Sequence, residues 1–106
     1  MAKKKQTVAK RAVKPYVIVR TYSAGVFAGF LAKREGREVT LTQARRLWYW
    51  TGAATLSQLA ESGTSNPALC KFPVAVSEIV LLEAIEVLSA TAAARASIES
   101  VTVWQA

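Results

Sequence analysis

Tyr16-Val17-Ile18-Val19-Arg20-Thr21-Tyr22, followed at once by Ser23-Ala24-Gly25, decides the fold class. Seven residues dominated by β-branched and aromatic side chains fit a pleated, half-buried surface, and the small residues after them stop the run, so the stretch predicts a strand and a turn. Outward from it, Val26 to Lys33 reads as a second strand. Glu35-Gly36 reads as the next turn, and Glu38 to Trp50 as a third strand whose first half alternates Val39 and Leu41 against Thr40 and Thr42. Three consecutive antiparallel strands are the simplest arrangement.

Beyond Thr51-Gly52 the pattern changes. Thr55 is placed to cap a short helix running through Ala60, with Gln58 three residues on completing a capping box and Gly63 as its stop. Ser62 to Pro67 reads as a loop. Lys71 to Val76 returns to strand composition, with Pro73 confining it to an edge or a bulge. Ser77 to Ser89 stays open between two readings. On a helical wheel Glu78, Glu86 and Glu83 fall at about 0°, 80° and 140°, a coherent polar face, whereas the β-branched Ile79, Val80, Ile85 and Val87 suit a paired strand with one bulge. Thr91 reads as the N-cap of an alanine-rich helix through Ser100, and Val101 to Trp104 as a short final strand. The expected architecture is α+β: a small single domain over residues 16–106, a mostly antiparallel β-sheet with two short helices, preceded by a flexible basic N-terminal arm, residues 1–15.

Composition narrows the chemistry. The 106 residues allow one domain, and 52% hydrophobic side chains suffice for a core. The chain contains no His, no Asp and a single Cys, Cys70. A Ser-His-Asp or Cys-His arrangement needs an imidazole, and a zinc site cannot be made from one thiolate without His or further Cys. The expectation is a non-enzymatic binding or assembly protein with no cofactor and no metal. The lone Cys asks for no oxidising compartment, and no apolar run reaches the roughly 18 residues of a membrane span; a cytosolic protein without a membrane partner is expected. The net charge of +7 is unevenly placed. Lys3, Lys4, Lys5, Lys10, Arg11 and Lys14 are six of the 14 basic residues, leaving eight basic against seven acidic residues in the rest. Such an arm suits salt-dependent contact with nucleic acid or an acidic surface, or serves only as a solubilising tail.

The candidate ligand residues lie elsewhere. Ala44-Arg45-Arg46-Leu47-Trp48-Tyr49-Trp50 holds two adjacent Arg and two of the three Trp. With an unbroken period of two, Val39, Leu41, Leu47 and Tyr49 share the core face with Arg45, while Arg46, Trp48 and Trp50 project from the other. Arg beside indoles suits a purine and its phosphate, although core or subunit interface is an equally physical use of these side chains. Ser23-Ala24-Gly25, beside Arg20 and Tyr22, is a second candidate, a Gly turn able to form an anion nest. Phe72 is a third, as a stacking ring.

From Tyr16 onward the chain resembles a family of small proteins encoded by tailed phages and prophages. The resemblance is carried by Tyr16 to Val26, by Ala44 to Trp50 with Gly52-Ala53, by Leu56-Ser57-Gln58-Leu59-Ala60 and Cys70-Lys71-Phe72, and by Ser97-Ile98-Glu99 and Val103-Trp104. Within that group it is similar to the Thoeris anti-defence sponges, which bind the cyclic ADP-ribose signal of a host TIR-domain enzyme and hold it without cleaving it. The resemblance implies sequestration of a cyclic ADP-ribose-type or cyclic oligonucleotide signal in the host cytoplasm, and a domain this small, with little concave interior of its own, is expected to form its pocket as a homo-oligomer. On the chemistry of the residues themselves, not on the resemblance, ligand contact is expected from Arg20, Tyr22, Ser23, Gly25, Arg45, Arg46, Trp48 and Phe72. The alternative expectation is a phage structural or nucleic-acid-associated accessory protein that uses the basic arm.

Overall fold

The computed structural model describes residues 14–106. The basic positions Lys3, Lys4, Lys5, Lys10 and Arg11 lie outside the described residues, and Lys14 is exposed at their start. The α+β architecture is as expected: five antiparallel strands, β1 (Tyr16–Thr21), β2 (Val26–Glu35), β3 (Glu38–Arg46), β4 (Val76–Leu81) and β5 (Ala84–Ser89), with helices α1 (Leu56–Ser62) and α2 (Ala92–Ser100). Strand order is β4-β3-β2-β1-β5. The open question of Ser77 to Ser89 is answered by two strands that lie on opposite edges of the sheet.

That topology forces the sheet to curl. Leu81 pairs with Val39, which pairs with Arg34 near the far end of β2, whereas Ala84 pairs with Thr21 beside the near end. Along a flat β2 those two levels are about 26 Å apart at 3.3 Å per residue, before the width of the sheet is added. Leu82 and Glu83 span at most about 11 Å. The sheet therefore curls into a partly closed barrel that brings the β4–β5 connection against the β2–β3 turn, where Ala84 N donates to Arg37 O at 3.0 Å, and against the end of β1, where Tyr22 N donates to Glu83 O at 3.0 Å. Curling gives β1 two apolar faces. Val17 and Val19 point inward with Phe27, Val39, Leu41, Ala44, Leu81 and Ala84. Tyr16 and Ile18 point outward with Ala28 and Leu47, beneath Leu59 of α1 and Ile98 of α2. Each such aliphatic or aromatic side chain contributes roughly 1.5–3 kcal/mol of burial.

The helices begin and end where expected. Gln58 N donates to Thr55 Oγ1 at 3.1 Å while Gln58 Oε1 accepts from Ala54 N at 2.9 Å, a reciprocal cap that satisfies two otherwise orphan donors. Gly63 (φ 76°) closes α1, its N–H donating to Leu59 O at 2.9 Å. A Cβ here would strike the Ser97 side chain of α2, so glycine also sets how closely the two helices dock. Thr91 caps α2 through Ala94 N (3.0 Å) and donates its own hydroxyl to Glu61 O at 2.7 Å, tying the helices together.

Two expectations are corrected. Strand β3 ends at Arg46, not Trp50, and its period of two breaks at Gln43, the one non-glycine residue with positive φ (49°) among the described residues. Gln43 and Ala44 sit opposite the single Gly29, because Phe30 pairs with Thr42 and Ala28 with Arg45. A Cβ on Gly29 would lie 3.0 Å from both Ala44 Cα and Thr42 O, so glycine lets the bulged backbone approach without displacing it by the few tenths of an ångström a side chain would demand. The extra residue flips the alternation: Ala44 joins Val39 and Leu41 inside the barrel, whereas Arg45 and Leu47 turn toward the helices. Past the strand, Trp50 packs against the outer core and Tyr49 is exposed, the reverse of the expected faces. The second correction concerns Lys71 to Val76 and Val101 to Trp104. These form only isolated bridges, Tyr49 with Lys71 and Phe72 with Val103, because Pro73 has no N–H to continue a ladder.

Candidate ligand-binding site

The bulge gives the two adjacent arginines different surroundings. Arg45 is 7% exposed and every one of its donor nitrogens meets a backbone carbonyl: Nε to Pro73 O (2.9 Å), Nη1 to Ile98 O (2.9 Å), and Nη2 to Phe72 O (3.0 Å) and Val101 O (2.6 Å). It also lies 5.6 Å from the centre of the fully buried Phe72 ring. Burial lowers its pKa from the usual arginine value and the neighbouring Tyr16 pulls it back up. Arg45 and Phe72 thus brace β3 against the Phe72–Pro73 segment and the C-terminal end of α2.

Arg46 faces the other way, toward a cleft. Its guanidinium carbon lies 4.4 Å from the centre of the Phe27 ring, a cation–π distance. Nη1 donates to Ala24 O at 2.7 Å, and the remaining donors of this side chain have no hydrogen-bond partner among the described residues. The Ser23-Ala24-Gly25 turn is held for this contact by Thr21. The Thr21 hydroxyl donates to Gly25 O (2.8 Å) and accepts from Ala24 N (2.9 Å), and Gly25 supplies the positive φ of 107° that turns the chain back. Beside the arginine opens a cleft of about 380 Å³, walled by Phe27, Ile79, Leu81 and Leu82, with Thr21, Ala24 and Glu83 at its rim. A second hollow of about 230 Å³, lined by Ala44, Pro73, Val74 and Val76, lies on the other side of the same Arg46–Phe27 pair. The Ser23 hydroxyl donates to Glu83 Oε1 at 3.4 Å.

Such a site can hold an anionic oxygen on Arg46, a flat apolar ring against the aliphatic wall, and a hydroxyl or amine on Glu83. The sequence-predicted residues divide accordingly. Arg46 meets the turn that contains Ser23 and Gly25, with the exposed Tyr22 alongside. Arg20 is engaged elsewhere, pairing through Nε with Glu86 Oε1 at 2.9 Å across β1 and β5. Trp48 stands apart from the cleft, near-parallel to Trp104 with ring centres 6.4 Å apart. Phe27, Ile79, Leu81 and Glu83 were missed, and no local signal marks them: Phe27 is paired with Arg46 from β2, Ile79 and Leu81 come from β4, and Glu83 from the turn after it. Among the described residues no three His, Cys, Asp or Glu side chains are grouped to hold a metal ion, and Cys70 is buried.

Residues 14–98 match the family described as Domain of unknown function (DUF6948). The chain belongs to that family. The DUF6948 match runs from the start of the described residues to Ile98 in α2, so it takes in the five strands, α1 and both arginines. Comparison with curated proteins and with solved structures finds no match. No helix among the described residues is long and apolar enough to cross a membrane.

Proposed function

We propose that this protein is a non-catalytic binding protein that takes a cyclic nucleotide signal, of the cyclic ADP-ribose or cyclic oligonucleotide type, into the Arg46 cleft and sequesters it intact. The observation that carries the reading is the Arg46 guanidinium, stacked on Phe27 with donors to spare at the rim of an apolar cleft of about 380 Å³. That volume is of the size small-ligand sites have. A phosphate would take the unpartnered donors of Arg46, a base would lie along Ile79 and Leu82, and a ribose hydroxyl or exocyclic amine would donate to Glu83. Sequestration asks for no general acid or base, in keeping with a chain that has neither His nor Asp. The expected homo-oligomer belongs to the same reading: Val80 and Leu82 stand exposed beside the cleft, where a second copy would close it. So does the setting expected from the resemblance, a phage-encoded anti-defence protein in the host cytoplasm.

Thermal-shift titration of the full chain against cyclic ADP-ribose isomers and cyclic di- and trinucleotides tests the proposal. A ligand that binds only the native state stabilises it by about 2.7 kcal/mol at a hundredfold excess over Kd. One cyclic nucleotide is expected to give a salt-tolerant shift that Arg46→Gln removes, and heat denaturation should release it unaltered by mass spectrometry. No shift with any of them, a shift that survives Arg46→Gln, or recovery of a cleaved product overturns the reading.

A further inference from the structure

The chain beyond β3 builds a second feature that the cleft does not use. Tyr49 and Lys71 exchange backbone hydrogen bonds (Tyr49 N to Lys71 O 3.2 Å, Lys71 N to Tyr49 O 2.7 Å), and Trp104 N donates to Phe72 O at 3.0 Å. Three segments far apart in sequence are thereby laid side by side on the buried Phe72. What they display outward is aromatic: Trp48 is 63% exposed, Tyr49 51% and Trp104 44%. Large rings gathered on a surface lose the burial that normally holds them inside, so the cluster calls for a partner.

The geometry is that of a stacking surface. The two indole planes differ by only 9°, with centres 6.4 Å apart. If the rings oppose each other, the gap falls about 0.6 Å short of two van der Waals contacts of about 3.5 Å, so the indoles must part slightly to take one flat ring between them. If they are slipped sideways, they form one broad π-surface on which a ring can lie. Lys71 Nζ sits 5.6 Å from the Trp104 ring centre and 5.8 Å from that of Tyr49, with no carboxylate partner among the described residues. The stretches 47–50, 69–74 and 101–106 contain no acidic residue. A sugar would need carboxylates or amides to take its hydroxyls, and of these the three stretches contain only Gln105. A cation at the rim of exposed rings, on a chain of net charge +7, complements phosphates joined to flat bases. In a duplex those base faces are already stacked on one another.

From this we infer that Trp48, Trp104, Tyr49 and Lys71 form a platform for single-stranded nucleic acid, with bases stacked on the indoles and a phosphate on Lys71. Stacking of this kind is sequence-tolerant, and truncating one aromatic typically weakens binding by about fivefold to a hundredfold.

The test is a titration of the full chain with a twelve-residue oligothymidylate, followed by quenching of indole fluorescence and, for the variants, by anisotropy of a labelled strand. A saturable quench is expected. Trp48→Ala and Trp104→Ala should each weaken binding about tenfold or more, and Trp48→Ala, whose ring is 63% exposed, should do so with little change in the thermal midpoint. Lys71→Gln should reduce the slope of log K against log salt by about 0.7. An oligomer of the same length made of abasic residues should bind far more weakly, and Arg46→Gln should bind the oligothymidylate normally, which separates this surface from the cleft. Equal binding of the abasic strand, or undiminished binding by both Trp variants, would assign nucleic-acid contact to the basic arm and overturn the platform. So would sedimentation showing that the Trp pair is covered by a second copy, a dimer that Trp48→Ala dissolves.

Discussion

Replacing Arg45 by methionine tests the distinction between the two arginines most directly. In the native chain four carbonyl oxygens accept from this one side chain. Two have another donor: Phe72 O also accepts from Trp104 N, and Ile98 O from Val101 N. Pro73 O and Val101 O have no other among the described residues, so the Arg45→Met variant would leave two acceptors orphaned, the Val101 carbonyl buried and the Pro73 carbonyl partly so. At about 1–3 kcal/mol each the loss is about 2–6 kcal/mol. Part is offset because a guanidinium no longer has to be desolvated, and because the thioether side chain fills much of the vacated volume. The net expectation is about 3 kcal/mol, a large share of the roughly 5–15 kcal/mol that holds a domain folded. In urea, with a slope of about 1.5 kcal/mol per molar for a chain of this size, the unfolding midpoint should fall by about 2 M. Arg45→Lys keeps the charge but offers one nitrogen in place of a planar fork, and should lose about half as much. A loss below about 1 kcal/mol for Arg45→Met would refute the idea that this residue is an internal brace and return it to the list of ligand contacts.

The remaining predictions concern stability. Burial pushes the Tyr16 hydroxyl up to about 12, with Glu99 adding to the rise and Arg45 and Arg95 opposing it. A folded-state pKa above the unfolded value of 10 means its contribution is intact below pH 10 and is lost as pH rises through 12. It amounts to about 3 kcal/mol for about two units, and denaturant midpoints across that window should decline less in Tyr16→Phe. Gly63→Ala should cost at least about 3 kcal/mol, combining a left-handed backbone with collision against Ser97, while Gly36→Ala, also at positive φ (62°) but with nothing within 4 Å, should cost about 1 kcal/mol. Equal thermal midpoints for those two variants would show that helix docking does not depend on Gly63. At the bulge, Gln43→Gly should match or exceed the native midpoint and Gln43→Val should fall about 1–2 kcal/mol below it, because a β-branched residue tolerates φ 49° poorly; the reverse order would remove strain from the account of the bulge.

What could be read from the chain was what neighbours in sequence decide. The β-branched run Tyr16–Thr21 declares a strand by its own side chains, and Thr55 with Gln58, Gly63 and Thr91 declare helix ends because a cap is made with groups three or four residues away. Ser77 to Ser89 was open for the opposite reason. Its strands lie on the two edges of a curled sheet, so Val76, Val80, Leu82 and Ile85 stay exposed and the usual apolar alternation is lost. The same holds for the surfaces. Arg46 and Trp48 stand out by residue type, but their partners are supplied from afar: Ala24 and Phe27 from β2 and the turn before it, Ile79 from β4 and Glu83 from the turn after it, Trp104 from the end of the chain.

The pair Arg45-Arg46 shows why composition alone stops short of a site. Two identical side chains, adjacent in one strand, differ in everything that matters for binding: one spends its donors on four carbonyls, the other keeps most of them beside a cleft. Residue type does not distinguish them, and an unbroken alternation of β3 separates them the wrong way round, putting Arg45 on the face of Val39 and Leu41. The difference is set by Gln43, whose extra step in the strand lies closely against its cross-strand neighbour Gly29. The bulge, eased by a glycine on the neighbouring strand, therefore decides which arginine becomes structure and which remains free for a ligand. A side chain at position 29 would press the bulge toward regular pairing, and restoring the period of two would return Arg45 to the face of Val39 and Leu41, inside the barrel, where a guanidinium has no carbonyls waiting for it. The candidate site and the packing of the core thus rest on the same backbone irregularity, so the cleft cannot be lost by slippage of β3 without also burying an unpaired charge.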